Sequence, residues 1–205
     1  MTARVLYVEG GGKGKASRSE CRQGFAGFLE RAGLKGRLPK IVSCDARQSA
    51  FDDFRHAVAN PAKDRIPLLL VDSEGPVASG ESAWRHLKKQ DNWTRPEDAP
   101  ADSAHLMVEC MESWFLADKE SLSGYFGPKF NENVLPGDRN IEAIPKQDVL
   151  RGLREATRRC PKKGAYDKGR HAFAILKSID PSRVRKFSSH AKHLIETLER
   201  PVAIE

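Results

Sequence analysis

The chain has 205 residues, 39% hydrophobic and 31% charged, enough to bury a core without disulfides or a structural metal. Its apolar runs are too short to span a bilayer, and its four scattered cysteines show neither CxxC pairs nor metal-ligand spacing. The net charge of +7 is uneven: residues 1–118 hold 17 basic and 17 acidic side chains, residues 119–205 hold 18 and 11.

Residues 4–9, RVLYVE, are β-branched and aromatic and run into Gly10-Gly11-Gly12, a strand meeting a breaker. Ser17 to Glu20 has capping-box spacing. Phe25, Phe28, Leu29 and Ala32 then recur at helical intervals, up to Gly33. KIVSC (40–44) predicts a second strand, and Phe51, Phe54 and Val58 mark one face of a helix over 47–58. IPLLLVD (66–72) is nearly all apolar, as in a central strand covered on both faces. A helix carrying Trp84 and Leu87 follows, then a strand at 105–109 (HLMVE) and a helical stretch at 111–118 (MESWFLAD). This alternation predicts an α/β fold: a Rossmann-like parallel sheet of about four strands flanked by helices. Residues 121–145, rich in Gly and Pro, read as irregular; 146–159, 168–179 and 187–199 read as helices. The expected organisation is an α/β core over 1–120 with a basic, mostly helical extension over 121–205 packed on it.

In an open parallel sheet, functional groups gather past the carboxyl ends of the strands. Glu9, Asp72 and Glu109 end three of the expected strands, with Glu74 two residues beyond Asp72 and Glu112 a turn beyond Glu109. Carboxylates crowded together repel one another, and a hard divalent cation with oxygen ligands, above all Mg2+, relieves that repulsion. Glu109 and Glu112 are candidates to hold a second ion or to support the first, and Glu112 is alternatively an acid favoured at a helix N-terminus. Lys13 and Lys15 lie in a glycine-rich loop able to contact phosphate, although the loop lacks the P-loop pattern. Lys162, Lys163, Lys168 and Arg170 form a basic stretch around Tyr166, suited to backbone phosphates with the ring stacked on a base, or to a solvated helical surface. His190 opens the last helix and is a candidate acid or electrophile, or a structural group.

The strand ending in Val8-Glu9-Gly10 and the apolar strand ending in Asp72-Ser73-Glu74 resemble the Toprim domain of topoisomerases, primases, recombination mediators and OLD-type nucleases. The pieces VEG, LLVDSEGP, HLMVECMESWFLAD, YDKGRHAFAIL and SSHAKHLIETL are similar to a family of small bacterial Toprim-like proteins often encoded beside OLD-related AAA ATPases. The resemblance implies Glu9 as general acid or base, with Asp72 and Glu74 holding Mg2+, for which Mn2+ can substitute. This chain has D-S-E where Toprim domains have D-x-D.

The expected function is therefore a metal-dependent nuclease acting on DNA or RNA, in defence against phage or plasmids. The alternative is a non-catalytic partner of an AAA-type ATPase with a degraded site, and a primase-like transferase is a third reading. The expected location is the cytoplasm, since the chain shows no leader-like or membrane-spanning stretch.

Overall fold

The computed structural model describes residues 3–137 and 139–201. Strands β1 (Ala3–Glu9), β2 (Lys40–Cys44), β3 (Arg65–Asp72) and β4 (Ala104–Met107) form one parallel sheet in the order β2-β1-β3-β4. Helices α1 (Lys15–Leu29), α2 (Arg47–Ala59) and α3 (Ala83–Asp91) make the successive crossovers. The chain steps from β1 out to β2, then returns past β1 to β3 and β4. Its direction thus reverses between β1 and β3, which puts a crevice at their carboxyl ends.

Side chains of β3 alternate between two cores, as strand geometry requires. Leu68 and Leu70 join Leu6, Val8, Phe25 and Phe28 on one face. Leu69 and Val71 join Phe51, Phe54, Trp84 and Leu106 on the other. Burying each such side chain contributes about 1.5–3 kcal/mol.

The first cluster continues through Trp114, Leu153, Ile175 and Ile195 to Leu198. It therefore takes in α4 (Lys119–Phe126), α5 (Lys146–Thr157), α6 (Lys168–Ser178), α7 (Pro181–Phe187) and α8 (Ser189–Glu199). Phe28 stacks on Trp114 with ring centroids 5.2 Å apart. Gly24 lets α1 and α6 meet closely, because a Cβ there would lie 2.9 Å from the Phe173 carbonyl. Among the described residues no helix is long and apolar enough to cross a membrane.

The structure corrects several local expectations. The capping box does not form, because α1 starts earlier, at Lys15, with Gly14 as its N-cap. The stretch expected to be irregular holds α4, with Leu122 and Phe126 buried. The last helical pattern is preceded by α7, marked by Asp180 as N-cap and Pro181 in its first turn. The helical stretch expected after Cys110 is present, as a 3-10 helix over Met111–Ala117.

Candidate functional site

Glu9 closes β1, and Asp72 closes β3 beside it. The Asp72 amide donates to Glu9 Oε2 at 3.2 Å. Glu74 follows in a tight turn with φ of 61°, pinned where its amide donates to the Glu109 carbonyl at 3.1 Å. One oxygen from each of Glu9, Asp72 and Glu74 lies within 4.8 Å of the others, the one such group of acidic, His or Cys side chains among the described residues. Two of the three expected strand ends cluster, Glu9 and Asp72 with its neighbour Glu74, whereas β4 stops at Met107 and leaves Glu109 two residues past the strand rather than at its end. Glu109 and Glu112 stand outside the trio.

Three cations meet these carboxylates. Lys146 Nζ donates to both oxygens of Glu74, at 2.7 and 2.8 Å, and sits 3.6 Å from Asp72 Oδ2. Lys168 Nζ lies 3.7 Å from Asp72 Oδ2 and 3.3 Å from Glu112 Oε1. Arg47 Nη1 lies 3.8 Å from Glu9 Oε2 and donates to the Asp72 carbonyl, while its other donors grip Asp91 at 2.9 and 2.5 Å. Backbone amides complete the frame: Met111 donates to Asp72 Oδ1 and Lys146 to Glu109 Oε2, both at 2.8 Å.

Asp72 is only 2% exposed. Burial pushes its carboxyl up to about 7, Lys168 opposes that rise, and Glu9 and Glu112 add to it. Burial also raises Glu9, against the pull of Arg47 and of the Asp72 amide. For Lys146 burial acts downward, but the hydrogen bond to Glu74 and the charge of Asp72 hold it above its ordinary value. Lys168 is raised in the same way, with Asp72 and Glu112 outweighing burial. Once Arg47 is set against Asp91, two ammonium groups are left to meet Asp72, Glu74 and Glu112, with Glu9 and Glu109 adding further carboxylates at the same place. The remaining negative charge and the all-oxygen donors fit a hard divalent cation.

The other sequence candidates fall in separate places. Lys13 is exposed on the loop after β1, and Lys15 is exposed as the first residue of α1. Gly11 in that loop has a φ of 97°, and a Cβ on it would collide with the Ser43 hydroxyl, which donates to the Gly10 carbonyl at 2.7 Å. Glu112 is fully buried, and Tyr166, 4% exposed, donates its hydroxyl to Glu112 at 3.1 Å. That overturns the stacking role expected of Tyr166, since its ring is packed inside the fold. Lys168 lies at the site, where its side chain is still 52% exposed, Lys162 and Arg170 are exposed away from it, and Lys163 Nζ sits 4.2 Å from the centroid of the Tyr125 ring. His190 pairs with Glu142 at 3.1 Å, and among the described residues no hydrogen bond or ion pair joins it to the carboxylate trio.

Sequence reasoning missed Arg47 and Lys146. Arg47 opens α2 just past the end of β2, so the strand-end argument that found Glu9 could have found it too. Lys146 follows Pro145 at the start of α5 and carries no local signal.

The family described as "Domain of unknown function (DUF4276)" matches residues 8–199, and the chain belongs to it. The match spans the whole carboxylate trio and both lysines. No curated protein and no solved structure matches the chain.

Proposed function

We propose that this protein is a Toprim-like, magnesium-dependent nuclease that cleaves nucleic-acid phosphodiesters. The observation that carries the reading is the trio of Glu9, Asp72 and Glu74 within 4.8 Å at the crevice between β1 and β3. Asp72 and Glu74 would hold the ion, with Glu9 beside them. Magnesium, or manganese in its place, would supply there a Lewis acid for a phosphodiester oxygen and a lowered pKa for a bound water. Glu9, oriented by the Asp72 amide and Arg47, takes a proton from the attacking water or returns one to the leaving oxygen. Lys146 and Lys168 set two ammonium groups beside the reacting phosphate, where negative charge develops. Exposed Lys13 and Lys15 supply further contacts to backbone phosphates. The charge and the Toprim resemblance support a nucleic-acid substrate, and the resemblance supports a role in defence against phage or plasmids.

The test is cleavage of labelled DNA and RNA in magnesium and in manganese, with Asp72→Asn beside the wild type. Metal-dependent cutting that Asp72→Asn abolishes is expected. Cutting that survives both that substitution and EDTA would falsify the assignment.

A second reading is favoured by one contact: the Lys146 ammonium bridges both oxygens of Glu74 and already stands beside Asp72. On that reading the ammonium replaces the ion, and the protein serves as a non-catalytic partner of an AAA-type ATPase. Calorimetric titration with magnesium separates the two, since this reading predicts no binding until Lys146 is removed.

A further inference from the structure

Along β4, at the edge of the sheet, the molecule holds a cleft of about 1460 Å3. Its walls are the turn after β3 (residues 76–83), the edge strand β4, the turn at 139–143, and parts of α7 and α8. Small-molecule pockets span roughly 300–1,000 Å3, so this volume suits a segment of polymer better than a metabolite. Two walls run directly into the site along the chain. Pro76 lies just beyond Glu74, and Ala143 lies just before Lys146.

The lining is chemically lopsided. Each carboxylate in it is held inside the molecule: Glu81 by Lys89 at 2.5 Å, Asp102 by Arg200 at 2.9 Å, and Glu142 by His190 at 3.1 Å. Arg139 and Lys186 are exposed and, among the described residues, form no ion pair. The rings of Phe187, His190 and His193 stand among these cations. Cations interleaved with rings are the surface that single-stranded nucleic acid uses, with phosphates on the charges and unstacked bases on the rings. A duplex keeps its base faces stacked and offers nothing to such rings.

The most telling residue is His105, in β4 on the cleft wall. It is 2% exposed, and neither ring nitrogen makes a hydrogen bond to any described residue. Burial and the neighbouring His193, whose ring centroid is 5.2 Å away, lower its pKa to about 3, so the imidazole is neutral. It presents one donor and one acceptor that the fold itself leaves unused, and a buried polar group without a partner calls for an explanation outside the fold.

We infer that this cleft is a binding site for single-stranded nucleic acid. Arg139 and Lys186 contact phosphates, the rings of Phe187 and His193 stack on bases, and His105 pairs with a base edge. That the bound strand leads into the Glu9, Asp72 and Glu74 site rests on the nuclease reading; that it binds does not.

The experiment is fluorescence anisotropy in EDTA with a labelled mixed-sequence single strand, DNA in one arm and RNA in the other, and the matching duplex in a third. The single strand is expected to bind more tightly than the duplex, and the DNA and RNA arms show which sugar is preferred. Arg139→Ala combined with Lys186→Ala should reduce the slope of log affinity on log salt by about 1.4, about 0.7 for each lost contact to a single strand. His105→Phe should weaken binding without changing the slope and without lowering the melting temperature. An unchanged slope in the double variant, or a duplex bound as tightly as the single strand, overturns the cleft assignment. A His105→Phe protein that melts earlier yet binds normally overturns the base-edge role. Cleavage is read separately in magnesium: a strand that binds but is never cut ends the nuclease proposal and leaves the cleft standing.

Discussion

Apart from Arg47, the two halves of the chain contribute opposite charges to one place. Residues 1–118, with basic and acidic side chains in equal number, supply Glu9, Asp72, Glu74, Glu109 and Glu112. Residues 119–205, which hold the whole excess of positive charge, supply Lys146 and Lys168 to meet them. Arg183 likewise reaches back to the buried Asp118 at 3.0 Å. The excess that reads in the sequence as a surface property is thus partly internal, matching acids of the other half. What remains for an outside anion is the smaller set of exposed cations, Arg139, Lys162, Arg170 and Lys186 among them.

The sharpest way to break this comparison is to change the acids. Glu9→Gln keeps size and hydrogen bonding but cannot exchange a proton, so turnover should fall by roughly 10²–10⁴-fold. Magnesium affinity, measured by calorimetry on the same preparation, should fall less than in Asp72→Asn. A destabilised but fully active Glu9→Gln protein would make Glu9 a structural acceptor only.

Removing a cation of the helical half comes next. Lys146 is 25% exposed, so its pairs are partly screened, and Lys146→Met should cost about 1–3 kcal/mol in denaturant melts with EDTA. Magnesium should restore more stability to the variant than it adds to the wild type, because ion and ammonium neutralise the same carboxylates. Equal shifts in both proteins would mean that Lys146 does not share their charge.

A smaller effect separates the two basic surfaces. Lys162→Glu with Lys163→Glu should alter the salt slope of strand binding less than the pair of changes at Arg139 and Lys186. Lys163 is already engaged over the Tyr125 ring, and neither lysine lines the cleft. The opposite ranking would move the binding surface to the α5–α6 connection.

The smallest effect is at His105. Its folded-state pKa of about 3 lies below the ordinary 6.5, so the unfolded chain takes up a proton that the folded chain refuses. Its contribution to stability is therefore lost as pH falls from about 6.5 toward 3. His105→Phe should melt within about 1 kcal/mol of the wild type at pH 7 and lose less stability on acidification. A variant with the wild-type acid slope would show that this imidazole does titrate normally in the fold.

The strands were legible because their signal is local. The run 66–72 is apolar enough to be central, and β3 lies between β1 and β4 with its side chains in both cores. Glu9, Asp72 and Glu74 were legible for the same reason, since a strand end in a parallel sheet is a place as well as a residue. Helix α4 was hidden by the Gly and Pro residues around it, although Leu122 and Phe126 have helical spacing. Tyr166 read as part of a basic surface because six nearby residues are charged or imidazole, and only packing against the core shows that its hydroxyl meets Glu112.

The sequence by itself determined the α/β class, the parallel sheet and the acids at its carboxyl edge, because periodicity and strand ends depend on neighbours a few positions away. Tertiary structure alone decided which cations face those acids. Lys146 reaches Glu74 across 72 positions and Lys168 reaches Glu112 across 56, distances over which no pattern in a local window operates. The shared apolar core sets how α5 and α6 lie against the sheet, and that placement brings both ammonium groups to Asp72. The cleft with His105 at its wall is decided in the same way, by turns and helices that meet only after the core has formed.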